Sequence, residues 1–460
     1  MAHAREARAA TARRLPAAPK GLPMVGHAVK LWRQPLQFLC SLTDRGDLVE
    51  VKIGRQKALV VCDPDLMQQV LHDGRTFDKG GHFYDRVREV AGDGLGTSMH
   101  EPHRRQRRLI QPAFQADRLV ECAKDAVSYT AEVTGAWRDG QVIDVIEAMD
   151  TITCKVTAKM LFGACLPSAK ETAAILGWLE DLNEWMQQRT VTPSWLDWVP
   201  IPGNRRFDRA LASLDAFIYG SIQTYRDEGI DQGDMLSVLT TARGDNGDAL
   251  SDREIRNHII TFIIGGTETV SSLVDWTMHL LAVHPAMARR VHTEVDTVCD
   301  GRLPVPADVA RFDYIQRFLA EALRVYPPAW LVSRVVTRDT HLAGYFLPAG
   351  ISVLCSPYVL HHRPDLYPDP EDFDPDRWLP DHAATIPRGS HIPFGSGPRK
   401  CIGDKFALLE APLMLATITL RWRLEHLPGQ TTYPPSVRRV GLRPAQLRMR
   451  VRQRHPVQNA

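Results

Sequence analysis

Phe394-Gly395-Ser396-Gly397-Pro398-Arg399-Lys400-Cys401-Ile402-Gly403 is the stretch from which the rest of this chain is read. One cysteine sits in a glycine-rich loop, two residues after an arginine, and a mostly apolar stretch runs on from Phe406 through Leu420. The glycines let the backbone fold tightly around the sulfur. Backbone N–H groups of such a loop donate to a thiolate, and Arg399 adds positive charge beside it, so both favour the ionised form. Taken alone, Cys401 reads most simply as a structural cysteine beside a turn. A thiolate with no partner cysteine also suits a one-point axial ligand, and haem iron held in this way gains electron density that favours O–O cleavage.

The rest of the composition leaves room for that chemistry. The chain has 460 residues, 44% of them hydrophobic and 24% charged, with a net charge of +2. That length supports a large core in one or two domains. No Gly/Ser linker, low-complexity block or internal repeat divides it. The near-neutral charge gives no global attraction to nucleic acid. The eight cysteines, at 40, 62, 122, 154, 165, 299, 355 and 401, include no C-x-x-C pair. This argues against a zinc site or a disulfide framework and fits a reducing interior. The start, MAHAREARAATARRLPAAPKGLP, is basic and Ala-rich, with no apolar run before Pro16. No stretch approaches the roughly 18 apolar residues of a spanning helix. The expectation is a protein without a membrane anchor, cytoplasmic and bacterial, with residues 1–21 a disordered basic segment and 454–460 a tail.

Along the chain, Leu48–Ile53 alternates, Gly54 follows, and Lys57–Val61 closes at Asp63-Pro64, which reads as a hairpin leading into a helix. The Gly-rich residues from Lys79 to Ser98 read as a long loop. Helical periodicity dominates from about 103 to 325. Within it, Gly244–Asp248 is a turn and Ser251-Asp252-Arg253-Glu254 is a capping box that starts an apolar helix. Short strand-like pieces return from Thr340 to Pro357, followed by a Pro/Asp-rich meander from Arg363 to Pro380.

Three further groups of residues stand out. Glu321-Ala322-Leu323-Arg324 puts an acid and a base on one helix face, an ordinary surface pair on its own. It is followed by Tyr326-Pro327-Pro328 and, later, Phe373-Asp374-Pro375-Asp376-Arg377-Trp378. Gly265-Gly266-Thr267-Glu268-Thr269 places two glycines inside a helix, each costing about 1 kcal/mol relative to alanine. Something must therefore approach the backbone there; a back-bonded helix threonine is the plain alternative for Thr269. His103 and Arg107 stand i, i+4 on one face, and Arg104 and Arg108 on another. Gly92-Asp93-Gly94-Leu95-Gly96 lacks the surrounding βαβ unit of a dinucleotide fingerprint. Gly395–Lys400 is broken as a phosphate loop by the residues that follow, and His361-His362 reads as a helix-end pair.

Together these motifs resemble those of the cytochrome P450 family. The ten-residue run fits F-x-x-G-x-R-x-C-x-G at every fixed position, and the likeness extends from about Leu22 to about Arg450. The resemblance implies a mainly α fold with a minor β region. It implies one catalytic domain over 22–453, with haem between the long central helix and the cysteine loop. Cys401 would be the axial ligand of haem b (iron protoporphyrin IX). His103, Arg107, Arg334 and Arg399 would hold its propionates. Glu321, Arg324 and Arg377 would form a buried triad serving folding and haem retention. Thr269 would hydrogen-bond oxygen on the iron, and Glu268 would relay protons. Val270 stands where the family often has Thr or Ser, and Ser271 and Ser272 point elsewhere.

The implied reaction is insertion of one oxygen atom from O2 into a hydrophobic small molecule. Electrons would come from NAD(P)H through a separate ferredoxin and its reductase, docking on a basic surface that includes Arg104 and Arg108. The segments that line the family's pocket here offer Phe83, Tyr84 and Val87, then Ile259, Phe262 and Ile263, then Ala329, Trp330, Leu331 and Val332. That surface is apolar and suits a hydrocarbon. The segments around Phe77–Gly81, His103–Phe114 and Gly203–Phe207 are similar to actinobacterial sesquiterpene oxygenases of the pentalenene oxygenase type. A sesquiterpene or other terpenoid is the expected substrate. Fatty acids, steroids and polyketides are alternatives; a haem-thiolate isomerase or dehydratase and a haem-binding sensor are rival functions.

Overall fold

Alternation at Leu48–Ile53 and an apolar run ending in two valines at Gln56–Val61 make strands β1 and β2, paired antiparallel from Leu48↔Val61 to Ile53↔Gln56. The computed structural model describes residues 15–163, 167–191, 194–244, 247–430, 433–437 and 441–454. Cys165, two residues of the expected 244–248 turn, most of the basic N-terminal segment and the tail beyond 454 lie outside the described residues. The fold is mainly α with minor β. The chain divides into two compact units. One holds the chain up to Asp85 with Ala329–Asp372 and Ala384–Lys400; the other holds Arg86–Pro328, Phe373–Ala383 and the chain from Cys401.

The first unit is built on a five-stranded sheet. Strands β1, β2, β3 (Phe77–Asp78), β4 (Val332–Val336) and β5 (Ser352–Cys355) lie in the order β1-β2-β5-β4-β3. Strand β2 runs parallel to β5, with Ala58 opposite Ser352. One face buries Val49, Val51, Ala58 and Val60 against Phe38, Leu39 and Leu42. The basic leader is tied to this sheet from Pro16 on: Ala18 donates to the Glu50 carbonyl at 2.9 Å, and Glu50 donates back to Pro16 at 2.8 Å. After β2, helix α1 (Pro64–His72) starts where the proline signal places it, with Asp63 accepting from the Leu66 N–H at 2.8 Å.

The stretch 79–98 is not one long loop: helix α2 (Gly81–Ala91) occupies most of it. Its glycines are end signals. Gly81 has φ +78° and Gly92 φ +53°, left-handed values that glycine tolerates where a helix begins or stops. The glycines after it serve a close approach. A Cβ on Gly94 would lie 2.5 Å from the Asn257 carbonyl oxygen.

The second unit is helical. Its main helices are α3 (His100–Ile110), α4 (Ala116–Gly135), α5 (Val145–Phe162), α6 (Ala169–Val191), α7 (Pro202–Glu228), α8 (Met235–Thr241), α9 (Asp252–Val283), α10 (Pro285–Cys299), α11 (Asp313–Val325) and α12 (Asp404–Arg421). The capping box forms as read: Ser251 and Glu254 each accept the other's backbone N–H, at 3.3 and 2.9 Å. From there α9 runs 32 residues through the unit and packs along α5. Strand Val142–Asp144 joins Arg448–Gln453 and Trp422–His426 in a small sheet. Among the described residues no helix is long and apolar enough to cross a membrane.

Helix α12 carries an acid in its core. Glu410 is 1% exposed, its Oε1 has no hydrogen-bond partner, and burial pushes its carboxyl up to about 8. The folded state therefore keeps a proton that the unfolded chain releases near pH 4.5. Stability from this site is full below that value and falls as pH rises towards 8, by up to about 1.4 kcal/mol per pH unit. Glu410→Gln removes the dependence, so its advantage over the wild type should grow from pH 5 to 8 and then level. Urea unfolding across that range measures it; a difference that does not change with pH would refute the assignment.

Candidate active site

Cys401 lies at the mouth of the loop that precedes α12. Gly397 has φ +68°, and a Cβ there would sit 2.6 Å from the Leu71 carbonyl oxygen, so the loop needs glycine at that point. Lys400 N–H closes the turn on the Gly397 carbonyl at 3.0 Å. Two residues past the sulfur, Gly403 caps the 18-residue helix α12. The positive end of a helix favours a nearby thiolate. At the other described cysteines burial opposes ionisation. Burial pushes Cys40, Cys62, Cys122, Cys154 and Cys355 up to about 12 and Cys299 to about 11, so they stay neutral. Cys401 is the exposed member of the described set. A Cβ at Gly403 would stand 3.9 Å from the Cys401 sulfur and 3.8 Å from the Phe114 ring.

Phe114 also meets Phe262 of α9, with ring centroids 5.7 Å apart. One phenyl ring thus links the cysteine loop to the long helix. Farther along α9 the two glycines have different jobs. A Cβ at Gly266 would be 2.6 Å from the Thr157 hydroxyl of α5, so that position needs glycine for packing. A Cβ at Gly265 would meet nothing within 4 Å, and Gly265 is exposed in a helix that is otherwise largely buried. The open face at Gly265 is a place that a bound group can fill.

Thr269 shares this face, one turn on. Its hydroxyl donates to the Gly265 carbonyl at 2.6 Å, the back-bonded geometry that a helix threonine adopts without any function. Glu268 is 3% exposed and accepts from the Asn183 amide of α6. Its carboxylate lines a cavity of about 640 Å³ with Thr267, Asp150, Glu147, Lys155 and Glu180. Ser271 and Ser272 do point elsewhere: Ser271 donates to Asp150 at 2.7 Å and Ser272 to the Leu442 carbonyl at 2.7 Å. Asp150 and Asp275 share the buried Arg443, at 3.0 and 2.5 Å. Burial pushes Asp275 up to about 7 even so.

The proposed propionate partners can be compared within each unit. In the first, Arg334 of β4 is 4% exposed; its Nη1 donates to the Ser333 carbonyl at 2.8 Å, and it has no ion pair among the described residues. Arg399 pairs with Asp78 at 2.5 Å. Burial lowers the Arg399 pKa, against the pull of Asp78, and the charge of Arg334 lowers it further. Arg334, buried beside the Arg399–Asp78 pair and without an ion pair among the described residues, fits an additional anionic group such as a propionate. In the second unit, His103 is buried and Arg107 half-buried on one face of α3. Arg105 faces away, towards Asp248 and Glu254. Arg104 and Arg108 are exposed.

The triad assembles in the second unit. Glu321 is fully buried and accepts from Arg324 at 2.9 and 2.8 Å, from Arg377 at 3.3 Å, from the Trp378 indole at 2.9 Å and from the Asp374 N–H at 3.1 Å. Trp378 and the Asp374 backbone were not expected in it. Of the pocket residues, Ile259, Phe262 and Ile263 are buried along α9. Tyr84 is buried, Val87 half-buried and Phe83 49% exposed. Ala329 is exposed, while Trp330 and Leu331 pack against the core of the first unit and Val332 is half-buried. Phe114, Asn183 and Arg443 are the side chains that sequence reasoning missed. Phe114 is one aromatic among many, and Asn183 and Arg443 belong to no motif.

The comparisons with known proteins agree on a family. The profile described as Cytochrome P450 matches residues 16–450. Cyclooctat-9-en-7-ol 5-monooxygenase of Streptomyces melanosporofaciens is 42% identical over 90% of this chain and 90% of its own. Cyclooctatin synthase of the same organism is 44% identical over 91% of each. Pentalenene oxygenase of Streptomyces avermitilis is 40% identical over 96% of this chain and 98% of its own. The crystal structure of the cytochrome P450DA haem domain superposes with a TM-score of 0.85 at 27% identity, covering 97% of this chain and 99% of that one.

Proposed function

Because the chain belongs to the cytochrome P450 family, we propose that it is a haem-thiolate monooxygenase acting on a terpenoid hydrocarbon, with residues 22–453 as its catalytic domain. The observation that carries the reading is the exposed Cys401 at the start of α12, one phenyl ring away from a long helix opened at Gly265. The haem, when bound, would supply the redox chemistry with O2. Cys401 would hold it by its thiolate. The resemblance assigns its propionates to Arg334, Arg399, His103 and Arg107. Glu321 with Arg324 and Arg377 keeps the surrounding fold rigid.

Thr269 and Glu268 handle protons. Glu268 stands at the cavity of about 640 Å³ and Thr269 at the open face of Gly265. The Thr269 hydroxyl, which now donates to Gly265, can turn its proton towards that face. Thr269→Ala should leave NAD(P)H oxidation running while peroxide rises and product per NAD(P)H falls by up to about 10²-fold. An unchanged product yield would remove Thr269 from the reaction. This acid–alcohol pair also favours the monooxygenase over an isomerase or dehydratase, which needs no protons timed to O2. Electrons reach the site from NAD(P)H through a separate ferredoxin and reductase docking near Arg104 and Arg108, in a bacterial cytoplasm.

The terpenoid assignment is supported by the apolar residues at Ile259, Phe262 and Ile263 and by relatives named for pentalenene and cyclooctat-9-en-7-ol. Burying apolar surface yields about 25 cal/mol per Å², so a hydrocarbon binds without a polar anchor. Titrating the ferric protein with cyclic sesquiterpenes such as pentalenene, beside a fatty acid, a steroid and a macrolide, should give a high-spin shift with the terpenes. Turnover of the macrolide and of no terpene would overturn the substrate class and leave the monooxygenase standing.

A further inference from the structure

Six of the large apolar side chains exposed to water belong to one region of the first unit: Leu22, Met24, Val25, Val29, Trp32 and Ile53. The backbone gathers them. Leu22 and Gly26 bridge across a turn whose tip carries Met24. Gly26 also bridges to Ile53 at the end of β1, and the Gly54 N–H donates to the Val25 carbonyl at 3.0 Å. The short helix Ala28–Arg33 follows directly, with Val29 and Trp32 at i, i+3 on one face. The turn tip, the hairpin end and that helix face therefore lie beside one another. Met24 is 91% exposed and has φ +64°, a left-handed value that is costly for a residue other than glycine. Single exposed apolar residues need no explanation, but a cluster of this kind marks an interaction surface.

The charges around the cluster have one sign. Lys20, Lys30, Arg33, Lys52 and Arg55 are exposed, and none forms an ion pair with a described residue. Lys30 and Arg33 take the helix face that adjoins Val29 and Trp32. No Asp or Glu occurs from Leu15 to Thr43, and Glu50 on the hairpin is already held by Lys57 at 2.9 Å. In the sequence before Leu15, Arg5, Arg8, Arg13 and Arg14 stand against Glu6 alone.

We propose that this patch docks the enzyme on an anionic lipid bilayer. Met24, Trp32 and their apolar neighbours enter the boundary between headgroups and acyl chains, and the lysines and arginines lie among the anionic headgroups. Apolar side chains beside uncompensated cations are the pattern of an interfacial segment. Tryptophan is at home at headgroup level, and the long stems of lysine and arginine let their charges stay in water. The side chains protrude, and a fluid bilayer accepts protruding groups of any shape, whereas a protein partner must match them. Contact of this kind is peripheral and needs no spanning helix. It concerns where the enzyme works rather than what it oxidises, so it stands or falls independently of the terpenoid assignment.

Cosedimentation of the holoenzyme with lipid vesicles tests this. Vesicles of equal parts phosphatidylcholine and phosphatidylglycerol should hold the protein about tenfold more tightly than phosphatidylcholine alone. That preference should vanish in about 1 M salt, where charges are screened within about 3 Å. Met24→Ser with Trp32→Ser, and separately Lys30→Glu with Arg33→Glu, should each weaken binding to the mixed vesicles about tenfold. All four side chains are exposed, so both double variants should keep the fold and full haem content. Phe346→Ser, at an exposed phenylalanine of the strand Tyr345–Leu347 in the same unit, should change nothing. Absent binding, equal binding to both vesicles, or binding indifferent to both double variants would overturn the proposal. So would a dimer in sedimentation equilibrium that the Met24 and Trp32 variant dissolves while vesicle binding persists, since the patch would then cover a second copy of the chain.

Discussion

Cys401→Ser should fold and yet lose the strongly red-shifted band of the reduced carbon monoxide complex, and product formation with it. The alcohol has the size of the thiol and lacks its easily ionised sulfur, so packing is kept while the thiolate is removed. Little local structure is at stake. Cys401 is exposed, and the turn before it closes through backbone atoms of Gly397 and Lys400. The measurement is the difference spectrum of purified protein, together with haem content per chain. A variant that keeps both the band and full occupancy would show that another residue is the ligand, and the reading of the ten-residue run would fail with it.

The second large effect should come from Glu321→Ala. The carboxylate takes hydrogen bonds from two arginines, an indole and a backbone N–H, with no exposure to water. Its removal takes away the buried carboxylate that Arg324 and Arg377 both bond. Breaking such a buried pair costs about 3–5 kcal/mol. Chemical unfolding of the haem-loaded protein should show that loss, with lower haem retention in purification. Glu321→Gln keeps the size and some acceptor capacity and should fall between the two. Wild-type unfolding and full haem content in the alanine variant would show that the triad carries neither stability nor haem retention.

The legible and illegible parts of the chain differ in range. Signals that act over a few residues were readable: the β1–β2 hairpin, the Asp63 cap, the Ser251–Glu254 box and the ten residues up to Gly403. Helix α2 was misread because its glycines lie at both ends, where they act as caps, and they gave its residues the look of a loop. The pairing of β2 with β5 joins Ala58 to Ser352, and no local pattern announces a partner so far along the chain. At the site, residue types with a motif could be named, whereas Phe114 and Asn183 matter through where the fold delivers them. Thr269 is the instructive middle case. Sequence offered both a reactive alcohol and a back-bonded one, and the hydrogen bond to Gly265 shows that one side chain can occupy the second state while being placed for the first.

Arg443 has a consequence for the order of events during synthesis. It answers Asp275 and Asp150, yet it follows them by 168 and 293 residues. Leu442 beside it accepts from both Ser272 and Trp276, so the same late segment also ties down the interior of α9. A nascent chain that has emerged only as far as α11 holds these two acids without the arginine that joins them. It cannot bury them in a dry core while both are ionised. The long helix should therefore stay wet at its centre until Arg443 has left the ribosome, and chains cut short before Arg443 should be taken by proteases as loosely packed substrates.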